Sequence, residues 1–228
     1  METLAAIIFV LMYMLIVSEK VHRTIVAMMG AIIMIIAGIM PVDTALHHID
    51  FNTLGLLIGM MILVSVTAKT GLFDYVAIKT AKAAKAQPRR LLIYLGIITA
   101  VFSAFLDNVT TVLLMVPVTF AITNKLHIPV VPFLLTQILA SNIGGTATLI
   151  GDPPNIMIGS AVKELTFVAF IENLTPVVIL CMVAVLFVMN VLYRKQMVTK
   201  PELQAEIMQM DETKSLKDRK LLARSLFV

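Results

Sequence analysis

Two stretches decide how this chain folds. The first is Ser103-Ala104-Phe105-Leu106-Asp107-Asn108-Val109-Thr110-Thr111. The second is Ser141-Asn142-Ile143-Gly144-Gly145-Thr146-Ala147-Thr148-Leu149-Ile150-Gly151-Asp152-Pro153-Pro154-Asn155. Each is a polar interruption inside an apolar run. Leu91–Leu106 and Val109–Thr123 are separated only by Asp107-Asn108. At 1.5 Å per residue these runs reach ~24 and ~22 Å, short of a ~30 Å hydrocarbon core. Two short helices joined by two polar residues predict a re-entrant hairpin over 91–123, with Asp107 and Asn108 capping the second arm. Two thin crossings with a tight turn satisfy the same pattern. The run 132–161 is broken in its middle. Consecutive prolines cannot continue a helix but fit the first turn of a new one, and the glycines allow unwound backbone. The expectation is a broken transmembrane helix.

Composition sets the surroundings. Hydrophobic residues make up 59% of 228 residues, charged residues 14%, and mean hydropathy is +0.96. Soluble domains run about 45–50% apolar with glycine included and ~25% charged. A soluble globule of this size lacks the interior to hide so much apolar surface. Soluble enzymes and nucleic-acid binders are therefore excluded, and the class is all-α, a polytopic membrane protein. The net charge of +4 fits basic cytoplasmic loops rather than nucleic acid. The single cysteine, Cys181, excludes an intramolecular disulfide and a Cys-rich metal site. The N-terminus lacks a basic region and a small-residue cleavage pattern, so no cleavable signal peptide is expected.

Working outward, spans are predicted at about 4–18, 24–42, 53–68 and 174–192, within a membrane domain covering 1–192. An amphipathic surface helix is predicted at 70–88, and its basic run is read as contacting lipid headgroups. Residues 193–228 read as a cytoplasmic linker. Its last segment, Leu221-Leu222-Ala223-Arg224-Ser225-Leu226-Phe227-Val228, resembles the start of a further span. With 132–161 crossing once, 17 of the 18 Lys and Arg fall on one side, whereas two crossings would leave 10 against 8. The positive-inside rule thus favours one interrupted crossing, an outside N-terminus and a cytoplasmic tail, in an inner or plasma membrane.

Asp107 and Asp152 are the only acids of 14 inside predicted membrane segments, and no Lys or Arg accompanies them. An intramembrane carboxylate is costly and points to function by default. Asn108, Thr110, Thr111, Asn142, Thr146, Thr148 and Asn155 add neutral oxygens, and unwound carbonyls such as that of Gly145 add more. Carboxylates favour a cation. Competition of Na⁺ and H⁺ for one carboxylate gives exchange without further machinery. The plainer readings are capping for Asp107, a helix start for Asp152, helix packing for the glycines, solvated loops for His22, His47 and His48, and apolar filler for the 16 methionines. The chain has no P-loop, GxGxxG, HExxH or nucleophile elbow. No enzyme activity is expected, and no cofactor other than Na⁺ and H⁺ as transported or coupling ions.

The two stretches, with Thr70-Gly71-Leu72-Phe73-Asp74-Tyr75, resemble the signature motifs of the ArsB/NhaD permeases of the ion transporter superfamily, in particular the melanosomal P protein group. The likeness covers about residues 5–195. It implies an inverted-repeat secondary transporter whose halves each contribute a re-entrant hairpin and a broken helix to a midplane site. By position it makes Asp107, Asn108, Thr110, Gly145, Thr146, Pro154 and Asn155 candidates for ions or substrate, with Asp107, Asn108 and Thr146 as candidate Na⁺ ligands. Related dicarboxylate transporters have a Ser-Asn-Thr tip, so the acid at Asp107 favours antiport over dicarboxylate symport. Arsenite or other oxyanion or carboxylate transport on the same scaffold, and a non-transporting membrane scaffold, are the alternatives. Family members are about twice this length. The chain is therefore expected to be the N-terminal half of a transporter, completed by a second half or subunit in the bilayer, as a homodimer.

Overall fold

The computed structural model describes residues 2–162, 164–210 and 212–215, and among these it is entirely helical. The tail segment Leu221–Val228 and Lys163 lie outside the described residues. Two units are resolved, dividing after Phe51.

The first unit holds α1 (Glu2–Val17), α2 (Arg23–Ile36) and α3 (Val42–His47). α1 and α2 pack together, and Gly30 allows it: a Cβ there would stand 2.9 Å from Met12 Cγ. The polar hinge between them turns at Glu19 (φ +54°), and His22 Nδ1 accepts the Thr24 amide at 3.3 Å to cap α2. α2 stops at Ala37, followed by Gly38 at φ +67°.

The second unit is built from α4 (Phe51–Lys69), α5 (Leu72–Ala83), α6 (Pro88–Ser103), α7 (Asn108–Lys125), α8 (Val131–Gly145), α9 (Pro153–Ala161), α10 (Phe167–Leu192) and α11 (Pro201–Met208). A 3₁₀ turn follows at Glu212–Ser215. Prolines open α6, α8, α9 and α11, where the missing amide costs nothing. Pro117 and Pro176 instead sit inside α7 and α10, each removing one intrahelical bond. α6 and α8 form the centre, with α7 and α10 against α8 and with α5 against α6 and α7. Leu91, Leu95, Met115, Ile122, Phe133 and Ala140 fill the interior.

Outside this core the surface is apolar. Leu180 is 71% and Phe187 68% exposed on α10, and large parts of α4 are equally bare. Among the described residues α4 and α10 are long and apolar enough to cross a membrane. α10 spans about 39 Å at 1.5 Å per residue. α5 buries Phe73, Ala77, Ile78 and Ala81 against protein. Parts of the segment after α10 also pack inward: Met197 and Ile207 join the core, and Lys82 pairs with Glu212.

Candidate functional site

Two helix interruptions lie in backbone contact. The first is Ala104–Asp107, between α6 and α7; the second is Thr146–Asp152, between α8 and α9. α6 ends in a tightened turn, with Phe105 N donating to Phe102 O at 3.0 Å. Asp107 then adopts extended backbone, and its Oδ1 accepts the Thr110 amide at 2.9 Å, which starts α7.

Small residues bring the breaks together. A Cβ on Gly144 would overlap the backbone of Ala100, so α6 and α8 touch main chain to main chain. A Cβ on Gly151 would stand 2.8 Å from Ser103 O and would overlap the Gly145 carbonyl. Polar bonds hold what the glycines allow. Thr148 Oγ1 donates to Ala104 O and accepts the Gly151 amide at 3.1 Å. Asn155 Nδ2 donates to Gly145 O (3.2 Å) and Thr148 O (3.0 Å), satisfying carbonyls freed where α8 unwinds. Thr175 Oγ1 of α10 donates to Ala147 O at 3.2 Å.

The side chains between the breaks form one polar group. Asn108 Nδ2 donates to Asn142 Oδ1 at 3.2 Å. Ser103 Oγ lies 2.8 Å from Asn108 Oδ1 and 2.7 Å from Ser141 O, and its one proton serves one of them at a time. Asp152 is the residue before α9, as Asp107 is before α7, and both have extended backbone. Asp107 and Thr110 also line a cavity of about 410 Å³, walled by Val109, Leu113, Ile150 and Pro153.

The sequence-selected residues thus take different places. Asn108, Asn142 and Gly145 converge, while Asp107 caps α7 and Asp152 precedes α9. Thr146 is exposed, and its hydroxyl turns back to Asn142 O at 2.9 Å. Thr148 and Asn155 fasten the second break. Pro154 is an exposed residue in the first turn of α9. Thr111 is 1% exposed and its hydroxyl is without a partner, while its amide donates to Asp107 O at 3.0 Å in the first turn of α7. Ser103 and Thr175 were not among the selected residues. Ser103 sits inside the first motif, in the last turn before the break, and its position could have flagged it. Thr175 is 28 residues from the carbonyl it meets, and no local pattern announces it.

Electrostatically, the C-terminal ends of α6 and α8 meet the N-terminal ends of α7 and α9. The carbonyl ends favour a cation and the amide ends an anion, so the dipoles alone leave the sign open, and Asp107 and Asp152 add two carboxylates at the starts of α7 and α9. Among the described residues no cluster of three His, Cys, Asp or Glu exists that would hold a transition metal.

The chain can now be set beside known proteins. A family model described as citrate transporter matches residues 13–228. The 46 kDa membrane protein of Mycobacterium leprae is 42% identical over 228 residues, covering 98% of this chain and 53% of that protein. An uncharacterised transporter of Mycobacterium tuberculosis matches with the same identity and coverage. The P protein of Homo sapiens is 44% identical over 163 residues, covering 69% of this chain and 20% of that protein. The chain spans about half the length of the mycobacterial relatives. A match along nearly the whole chain, together with an apolar exterior around two facing helix breaks, makes this a membrane protein of the citrate transporter family.

Proposed function

We propose that this chain is the N-terminal half of a secondary ion transporter that exchanges Na⁺ for H⁺ at a midplane site. The observation that carries the reading is the contact of two helix interruptions, where Asn108 bonds Asn142 and lies against Gly145, with Asp107 and Asp152 leading into α7 and α9. Unwound backbone at membrane depth is tolerated where it is buried in protein or lines a wet cavity. In this reading α6 and α7 form a re-entrant hairpin, and α8–α9 is the broken helix of one inverted repeat. Asp107, Asn108 and Thr146 supply oxygens to Na⁺, and a proton on Asp107 displaces the ion. The N-terminus lies outside and the tail after Leu192 in the cytoplasm. The protein acts in transport, not catalysis.

The test is proton flux driven by a Na⁺ gradient, in vesicles carrying this chain with a second half. Asp107→Asn should abolish the flux while the protein still inserts. Undiminished flux in that variant overturns the role of Asp107. A second reading, transport of a carboxylate such as citrate, is favoured by the description of the matching family. It predicts uptake of labelled citrate by the same vesicles and tolerance of Asp107→Asn.

A further inference from the structure

α6 and α10 run antiparallel and in register. Gly96 makes room for α10, since a Cβ there would stand 2.8 Å from Leu186 Cδ2. Two turns from that contact toward one end of the pair, Arg89 Nη2 donates to the Arg194 carbonyl at 3.3 Å. The contact joins two basic doublets that are far apart in sequence, Arg89-Arg90 and Arg194-Lys195, and all four side chains are exposed. Among the described residues none of the four pairs with a carboxylate. Four exposed cations thus lie at one end of the helix pair, and among the described residues no carboxylate neutralises them.

The patch lies where the apolar surface stops. On α6 the exposed residues Arg90, Tyr94, Ile97 and Val101 follow one helix face at spacings of four, three and four. On α10 the exposed residues Val183, Phe187 and Val191 lead to Tyr193 and the second doublet. Each helix therefore presents an apolar strip ending at two cations, with Tyr94 exposed before the first doublet and Tyr193 half-buried before the second. This is the order met on passing from hydrocarbon through the interface to the headgroups. We infer that the α6–α10 face is a binding site for an anionic phospholipid, whose acyl chains lie along Ile97, Val101 and Phe187 and whose phosphate sits among Arg89, Arg90, Arg194 and Lys195. Charge complementarity selects the occupant: a zwitterionic lipid brings its own cation to the patch, whereas an anionic headgroup neutralises it. The site is separate from the two helix breaks and does not depend on which ion is carried.

The chain contains no tryptophan, so Phe187→Trp provides a single reporter on the strip. Its fluorescence is measured in phosphatidylcholine vesicles doped with acyl-brominated phosphatidylglycerol or, in parallel, acyl-brominated phosphatidylcholine. At about 1 kcal/mol per basic residue near a surface, roughly fivefold each, the anionic lipid should quench with an apparent affinity at least about tenfold higher. Replacing all four basic residues by Gln should bring the ratio near one. Arg90→Gln alone, an exposed exchange that leaves the fold undisturbed, should lower the ratio several-fold. Equal quenching by both lipids overturns the site, as does a preference that survives the fourfold exchange. Loss of the preference in millimolar inorganic phosphate at constant ionic strength would mean that the patch holds free phosphate, and would also overturn it. Absence of quenching by either lipid would mean that protein covers this face, and the lipid site would fall with it.

Discussion

A side chain at position 145 would overlap Asn108 Oδ1, although Gly145 ends α8 and Asn108 opens α7. Gly145 is therefore a spacing requirement of the candidate site, and Gly144 is its counterpart one residue earlier. The nearest neighbour of Gly145 is a side chain and can be removed, which leaves the Gly151 carbonyl at 3.0 Å. The neighbour of Gly144 is the Ala100 main chain and cannot. Gly145→Ala should lower stability by about 1–3 kcal/mol, the usual range for overpacking. Adding Asn108→Ala should restore part of that loss. No side-chain exchange should rescue Gly144→Ala. Thermal melts of the purified variants in detergent check all three outcomes.

Thr148 predicts a second asymmetry. Its buried hydroxyl serves Ala104 O and the Gly151 amide together. Thr148→Val keeps the shape and strands both groups, which should cost about 1–3 kcal/mol. Thr148→Ser keeps the hydroxyl and should cost less. Hydrogen exchange at the Gly151 amide gives the local readout, with faster exchange in the valine variant.

The residues explain why the breaks were legible in the sequence and their joining was not. Asp107-Asn108 between apolar runs, and Gly144-Gly145 followed by Pro153-Pro154, announce interruptions through backbone chemistry alone. Asp107 also caps α7, as a carboxylate placed before a helix should. Contacts across the break leave no local mark. Ser103 meets Ser141 O over 38 residues, and Thr175 meets Ala147 O over 28. Either hydroxyl could equally well have bonded within its own helix, as Thr99, Thr119 and Thr136 do. The tail shows the same limit. Residues 193–228 read as a cytoplasmic linker, yet Ile207 and Met197 are buried. Met197, Leu203, Ile207 and Met210 are scattered among polar residues, too irregular a pattern to reveal a docked helix.

Asn155 separates amide chemistry from size. It donates to two carbonyls, at 3.2 and 3.0 Å. Asn155→Asp is nearly isosteric but, when ionised, sets an acceptor against two acceptors. It should be more disruptive than Asn155→Ala, which only leaves the carbonyls unpaired. Protease accessibility at 146–152 in membranes should rise in the order wild type, Ala, Asp. Equal cleavage of all three would mean that Asn155 does not hold the second break closed.

The docked tail offers two contacts of different kinds, and their magnitudes should differ. Ile207 of α11 is fully buried in the core that includes Leu126 and Met115. Ile207→Ala removes buried methylenes and leaves a cavity, costing about 2–5 kcal/mol. Lys82 and Glu212 form an ion pair whose side chains remain about one quarter exposed. Exposed pairs contribute roughly 0–1 kcal/mol and are screened by salt. Glu212→Gln should therefore shift the melting temperature slightly in dilute buffer and still less in about 0.5 M salt, where the Debye length falls well below 10 Å. Ile207→Ala should lower it substantially in both. If the two exchanges had equal, salt-sensitive effects, charge rather than apolar burial would fasten the tail to α5.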